Sequence, residues 1–402
     1  MRISTSLLFQ RGVDQMNDAQ SMLSDTQSRI SSGKRMLAPS DDPIAASRVV
    51  ETTQALALNA SQEANVGQAR DSLSLVDSTL SGAGDLLQQI RTLLVQAGNT
   101  SLTDSDRASI AVNINSSIDE LVGLANTRDG TGGYLFSGYQ QTVQPFTRTT
   151  SGAQYNGDQG YRSLSVAPTR TLAVSENGTD IFERVRTGNG IFSTGQAAAN
   201  TGTGVISGGT VTNGLLLTGD SYQIVFSVAG SATTYDIVDT TTSTTVSSGN
   251  PYTSDGAINF AGMQVTIGGA PANGDTFTVT PSANQSVFKT LTDAVNALSA
   301  SVTTPGDRAR LAQNIGAGLA NIDQALDRLL GVRTSVGAKL KELDTLDSVN
   351  QDVNLNYTQQ LSHLQDVDYA QAASDLARQQ QALEAARASY QRVTGASLFD
   401  YL

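Results

Sequence analysis

Ten positions between Val66 and Ala97 place the tightest constraint on this chain. Val66, Ala69, Leu73, Val76, Leu80, Ala83, Leu87, Ile90, Leu94 and Ala97 alternate spacings of three and four, and none is charged. That is the seam of a coiled coil. An unbroken helix from Pro43 to Gly98 would span about 80 Å at ~1.5 Å per residue, far more than a compact domain needs. Such a seam needs other helices to cover it.

The chain ends can supply them. Phe9, Val13, Met16, Gln20, Leu23, Gln27 and Ile30 hold the same alternation, and Gly33 then offers a helix C-cap. Near the other end Ile322, Leu326, Leu329, Val336, Leu340, Leu343 and Leu346 make a long apolar stripe. A last helix carries Tyr369, Ala372, Leu376, Gln379, Leu383, Ala386, Tyr390 and Val393. The glutamines at seam positions have two readings. They are buried and set register, or they are half-exposed and do neither. A further helix starts at Thr103, in capping-box spacing with Asp106, and turns Ile110, Ile114, Ile118, Leu121 and Ala125 to one face.

The middle is different. From about Gly130 to Pro281 the period becomes two, as in Tyr222, Ile224, Phe226 and Val228, in Met263, Val265 and Ile267, and in Phe277 and Val279. Turn signals punctuate these strands at Asn156-Gly157, Thr218-Gly219-Asp220, Gly230-Ser231 and Asn273-Gly274-Asp275. GDSYQIV (219–225) and GDTFTVT (274–280) resemble each other, each a turn feeding a strand. Their aspartates suit an Asx turn or a calcium ligand set. The run TTTSTTVSSGN (240–250) reads as a loop or an edge hairpin.

The expected fold is therefore α+β and multidomain. Both chain ends form a long antiparallel helical bundle or coiled coil, and a β-rich region is inserted between them. The segments expected are 1–40, an N-terminal assembly helix; 41–140, the helical half of a rod; 141–195, a β-hairpin extension of it; 196–283, an inserted β domain; 284–366, returning helices; and 367–402, a C-terminal assembly helix.

Between the first two helices lies LAPSDDPIAAS (37–47). Its paired aspartates raise the question of a site. Pro43 holds Asp42 extended, as an N-cap requires, and itself fits the first helical position, where its missing N–H costs nothing. Asp41 and Asp42 then sit at the positive end of the helix dipole. Asp41, Asp42 and Pro43 thus read as a cap at an elbow.

Little else points to chemistry. The one histidine, His363, lies among leucines and glutamines of a helix, and with no cysteine there is no second ligand at zinc spacing. No phosphate-binding glycine motif is present. The expectation is no catalytic, cofactor or metal site. A net charge of −12 argues against nucleic acid and anionic membrane surfaces. No apolar run is long enough for a transmembrane helix, and the N-terminus is too short in apolar residues for a cleavable signal peptide.

Specific motifs sharpen this. RISSGKRMLAPSDDPIAASRVV (29–50) resembles the signature of the flagellin superfamily, a helix ending in Ser-Gly and a short loop ending in Asp-Asp. GGYLFSGYQQTVQPF (132–146) resembles that superfamily's exit from its helical N-terminal half. YNGDQGYRSLSV (155–166), NGTDIFE (177–183) and the C-terminal run from Leu361 through SLFDYL are similar to the subgroup at the hook–filament junction. Beginning in MRISTS and ending in SLFDYL separates the chain from flagellin proper.

The resemblance implies a ring of like subunits between the hook-associated protein 1 layer and the flagellin filament, outside the cell. It implies export through the flagellar type III channel, with a chaperone on the C-terminal helix, about Tyr369 to Thr394. It implies terminal helices that fold on assembly. Phe9, Val13, Met16, Leu23 and Ile30 would then meet Leu376, Leu383, Tyr390 and Val393 in the inner layer of a tube. Three other readings compete: flagellin itself, a secreted adhesin or surface-layer protein, and a glycosidase using two carboxylates ~5–10 Å apart in the β region.

Overall fold

The computed structural model describes residues 5–130 and 132–395. The SLFDYL end and the first four residues lie outside them. Six helices are present among the described residues: α1 (Thr5–Ser32), α2 (Pro43–Ala97), α3 (Asp104–Ala125), α4 (Val287–Ser299), α5 (Pro305–Gln365) and α6 (Tyr369–Gly395). The strands all lie between α3 and α4. The chain divides into two compact units, Met1–Asn65 with Thr345–Leu402 and Val66–Asp344. Each long helix, α2 and α5, gives residues to both.

In the terminal unit α1 and α6 run antiparallel. Phe9 meets Tyr390 edge to face, with ring centroids 6.4 Å apart. At the other end Gly33 takes φ +69°, the left-handed conformation that ends a helix cheaply only in glycine. Its carbonyl accepts the Val367 N–H (3.0 Å), and the Arg35 N–H donates to the Gln365 carbonyl (2.7 Å). The turn out of α1 is thus pinned to the turn between α5 and α6.

In the central unit every one of the ten seam positions from Val66 to Ala97 is buried. Ile322, Leu329, Val336 and Leu343 of α5 are buried as well. Ion pairs tie the two helices at three points along their length, Arg70 to Asp344 (3.0 Å), Asp77 to Arg333 (3.0 Å) and Arg91 to Asp323 (2.7 Å). These pairs are half-exposed, so each adds about 0–1 kcal/mol and the apolar seam supplies most of the stability.

Capping boxes start two of the helices. The Thr103 hydroxyl accepts the Asp106 N–H while Asp106 accepts the Thr103 N–H (3.0 Å), which opens α3. Thr304 and Asp307 repeat the device before α5, with Pro305 at the first helical position. Hydrogen bonds from the Thr304 hydroxyl and N–H hold the Asp307 carboxyl down at about 2.

The base of the β region consists of two hairpins, β1 (Phe146–Thr149) with β2 (Gly152–Tyr155) and β3 (Ser163–Ala167) with β4 (Arg170–Ala173). A π-helical turn at Thr179–Glu183 follows, and then β5 (Val185–Arg186). Phe146 sits at the centre of an aromatic cluster with Tyr155, Phe182 and Phe288, at centroid distances of 5.1, 5.4 and 5.1 Å. Phe136 packs on Phe182.

The rest of the β region is built from β6 (Phe192–Gln196), β7 (Val205–Ile206), β8 (Thr210–Val211), β9 (Tyr222–Ala229), β10 (Ala232–Asp239), β11 (Thr244–Pro251), β12 (Ala257–Phe260), β13 (Met263–Gly268) and β14 (Thr276–Pro281). One sheet has the order β11-β10-β9-β14-β6; in the other, β13 pairs with β12, β7 and β8. Their inner faces share one core, with Tyr222, Ile224, Phe226, Val265, Ile267 and Phe277 all buried. The strand β15 (Asn284–Gln285) pairs with β5 and returns the chain to α4.

The two similar turn–strand segments become neighbours here. Ile224 of β9 pairs with Phe277 of β14 in antiparallel register. The Thr-rich run forms most of β11, an edge strand hydrogen-bonded on one side only. Two features of this sheet differ from a plain reading of the sequence. β6 already belongs to it, four residues ahead of position 196, because its partner β14 lies far away in sequence. The Asp275 carboxylate accepts N–H groups from Thr201 (2.9 Å), Gly202 (3.0 Å) and Ala272 (2.8 Å). Those donors occupy it as a loop organiser, and no group of three His, Cys, Asp or Glu among the described residues is placed to hold a metal.

Candidate assembly surface

The seam of the terminal unit can be read from its two ends. Phe9 faces Tyr390, and a Cβ added at Gly33 would sit 3.1 Å from the Tyr369 hydroxyl. In an antiparallel pair each step up one helix is a step down the other. Met16 therefore lies level with Leu383, and Leu23 with Leu376. Leu383 and Ala372 are buried, while Phe9, Met16, Leu23, Ile30, Leu376 and Tyr390 are half-buried. The side chain of Val393 lies outside the described residues.

Not every seam position turns inward. Val13 is exposed, and so are Gln20 and Gln27. Buried Thr26 lies next to Gln27. Gln379 is half-buried, with its Oε1 shielded from solvent and without a partner. Small residues bring the helices close: a Cβ at Gly12 would meet the Tyr390 ring at 3.1 Å. The two-helix pair leaves large apolar side chains in solvent, Leu7, Val13 and Met22 on α1 and Tyr369 on α6. Two helices cannot enclose them all.

At the elbow Asp42 caps α2. Its Oδ1 accepts the Ala45 N–H (3.0 Å), its carbonyl accepts the Ala46 N–H (2.9 Å), and Pro43 is the first helical residue. Asp41 does something else. Its Oδ2 accepts the Leu37 (2.9 Å) and Ala38 (3.2 Å) N–H groups and closes the loop behind it, which also lowers its pKa. The two carboxylates therefore serve different N–H groups, Asp41 those of the loop before it and Asp42 that of the helix after it. Arg35 completes the joint by reaching both Asp42 (3.5 Å) and the Leu364 carbonyl (3.3 Å).

Replacing Asp42 with Ala removes the cap acceptor and should cost about 0.5–2 kcal/mol. A thermal melt of Asp42→Ala that superposes on that of the unaltered chain would show that the cap contributes nothing. His363 is exposed on α5, as expected of a surface helix residue.

The seam also contains residues that apolar periodicity does not reveal. Seven-residue steps carry the α2 seam downward from Val66 to Asn59, Thr52 and Ala45, all buried. On α5 the step after Leu343 is Asn350, also buried. The signal was the spacing, hidden because Thr52, Asn59 and Asn350 are polar and Ala45 is small.

A terminal pair of long helices with a β region carried between helical halves is an arrangement this chain shares with solved flagellar proteins. Residues 3–141 match the bacterial flagellin N-terminal helical region. The chain is 28% identical over 400 residues to flagellar hook-associated protein 3 of Salmonella typhimurium, covering 99% of both chains. The FlgL structure from Xanthomonas campestris superposes with TM-score 0.72 at 34% identity, over 77% of this chain and 99% of that one. The flagellar junction protein FlgL from Legionella pneumophila gives TM-score 0.72 at 30% identity, over 79% of this chain and 100% of that one. The chain belongs to the flagellar hook-associated protein 3 family. Likeness to a Listeria monocytogenes flagellin is confined to 128 residues, 32% of this chain and 44% of that protein.

Proposed function

We propose that this chain is a structural subunit of the bacterial flagellum, acting outside the cell between the hook-associated layer and the flagellin filament. Its partners are hook-associated protein 1 on one side, flagellin on the other, and copies of itself in a ring. An export chaperone holds the C-terminal helix until the chain enters the type III channel.

One observation supports the assembly role above the rest. The antiparallel pair α1–α6 keeps Leu7, Val13, Met22 and Tyr369 exposed. Fully burying one such apolar side chain contributes roughly 1.5–3 kcal/mol. A neighbouring subunit that covers several of them offsets the entropy lost on ordering the helices. Folding of the ends and polymerisation are then one event. In this role Phe9, Met16, Leu23, Ile30, Leu376, Leu383, Tyr390 and Val393 form the seam, Val13 faces the neighbour, and Asp42 with Pro43 fixes the elbow.

Electron microscopy of a null mutant tests the role. The expected cells carry hooks without filaments and shed flagellin into the medium. Normal filaments on the null mutant would rule the junction role out.

A further inference from the structure

Within the terminal unit, the lower part of α2 and the last turns of α5 are inverted in polarity. The seam between them is polar. Asn59 is buried and its Nδ2 donates to the Asn350 carbonyl (2.9 Å), while Thr52, also buried, reaches Gln360 Oε1 (3.4 Å). Gln62 is buried as well. Asn350 is 5% exposed, and its Nδ2 has no acceptor. Meanwhile Val50 and Leu58 of α2, and Val349 and Leu355 of α5, are each at least half exposed.

Both features weaken the pair. A polar residue at a seam position lowers coiled-coil stability, and a buried amide without a partner lowers it further. The contrast lies within single helices. From Val66 to Ala97 the α2 seam is apolar at every position; from Thr52 to Gln62 it holds Thr52, Asn59 and Gln62.

We propose that the polar seam of Thr52, Asn59, Gln62 and Asn350 is a built-in weak segment that keeps this helix pair open much of the time in the free chain. The exposed Val50, Leu58, Val349 and Leu355 give the closed pair its stability only when a second subunit covers them. The polar seam thus sets how far inward from the termini the late-folding region reaches, deeper than α1 and α6 alone. The use of this weakness rests on the assembly role proposed above; the weakness itself does not.

Amide hydrogen exchange on the free full-length chain tests it. Residues 46–62 and 349–361 should exchange at least roughly tenfold faster than 69–94, because local opening is governed by few apolar contacts. The double variant Asn59→Leu/Asn350→Leu should slow exchange in both segments by roughly tenfold and leave 69–94 unchanged. The milder Thr52→Val covers the case in which the double variant fails to fold, and should slow the same segments to a smaller degree. Wild-type protection in 46–62 equal to that in 69–94 overturns the proposal, as does unchanged or faster exchange in the substituted chains. These outcomes concern the free chain, so they are separate from the null-mutant result, which bears on the junction role alone.

Discussion

Phe146→Ala should destabilise the central unit by about 3–5 kcal/mol, the usual cost of emptying a buried phenylalanine site. Phe146 has no exposed surface and touches the rings of Tyr155, Phe182 and Phe288. Each ring pair adds roughly 0.5–1.5 kcal/mol beyond the area it buries, so the upper half of that range is expected. The site cannot collapse easily. The Phe146 N–H and carbonyl are both held by the Asn126 side chain (2.9 and 2.8 Å), which fixes the strand against the end of α3. Tyr155 is fixed as well, since its one hydroxyl proton is shared between the Phe136 (2.9 Å) and Asp158 (2.6 Å) carbonyl oxygens, and burial pushes that phenol up to about 12. Urea unfolding of the purified chain gives the measurement, with Val112→Ala on the exposed face of α3 as a control expected within about 0.5 kcal/mol. Equal midpoints for Phe146→Ala and the control would mean that the cluster does not anchor this unit.

The same cluster shows what the sequence made legible and what it hid. Phe136 and Phe146 come from GGYLFSGYQQTVQPF, Tyr155 from YNGDQGYRSLSV and Phe182 from NGTDIFE. The segments that carry the family resemblance are those that build the cluster. Their meeting with Phe288 joins residues far apart along the chain, and no local period announces it. Regular periods were readable for the opposite reason. A heptad fixes which face of a helix is buried, so all ten positions from Val66 to Ala97 could be named. Alternation does the same for Tyr222, Ile224 and Phe226. The downward continuation of the seam escaped because Thr52, Asn59 and Asn350 keep the spacing without the hydrophobicity. Asp41 and Asp42 read alike because both precede Pro43, yet Asp41 closes the loop on Leu37 and Ala38 while Asp42 caps α2. The cap at Thr304 and Asp307 carries the same Thr-x-x-Asp spacing as Thr103 and Asp106, but the first buried positions after it include Ala309 and Gln313, which do not mark a helix face by hydrophobicity.

Leu383→Asp should leave most hooks without filaments. Leu383 is 7% exposed and lies level with Met16 across the α1–α6 pair. Loss of a buried leucine costs about 2–5 kcal/mol, and a carboxylate left there without a partner costs more. Even at the low end, 2 kcal/mol changes an assembly equilibrium by more than roughly tenfold. The central unit should be untouched, since Leu383 belongs to the other compact unit. Its urea transition is therefore the check that the variant chain is otherwise folded. Gln380→Asp supplies the control: it adds the same charge one turn away, at an exposed position, and should cost within about 0.5 kcal/mol. The fraction of hooks bearing filaments, counted by electron microscopy, is the readout, with flagellin in the medium rising as that fraction falls. If Leu383→Asp and Gln380→Asp cells carry filaments in equal number, the α1–α6 seam is not what holds the subunit in the flagellum. The exposed residues Leu7, Val13 and Met22 would then have to act without it. They sit on the helix that this seam positions, so losing the seam should also scatter the apolar surface a neighbour needs.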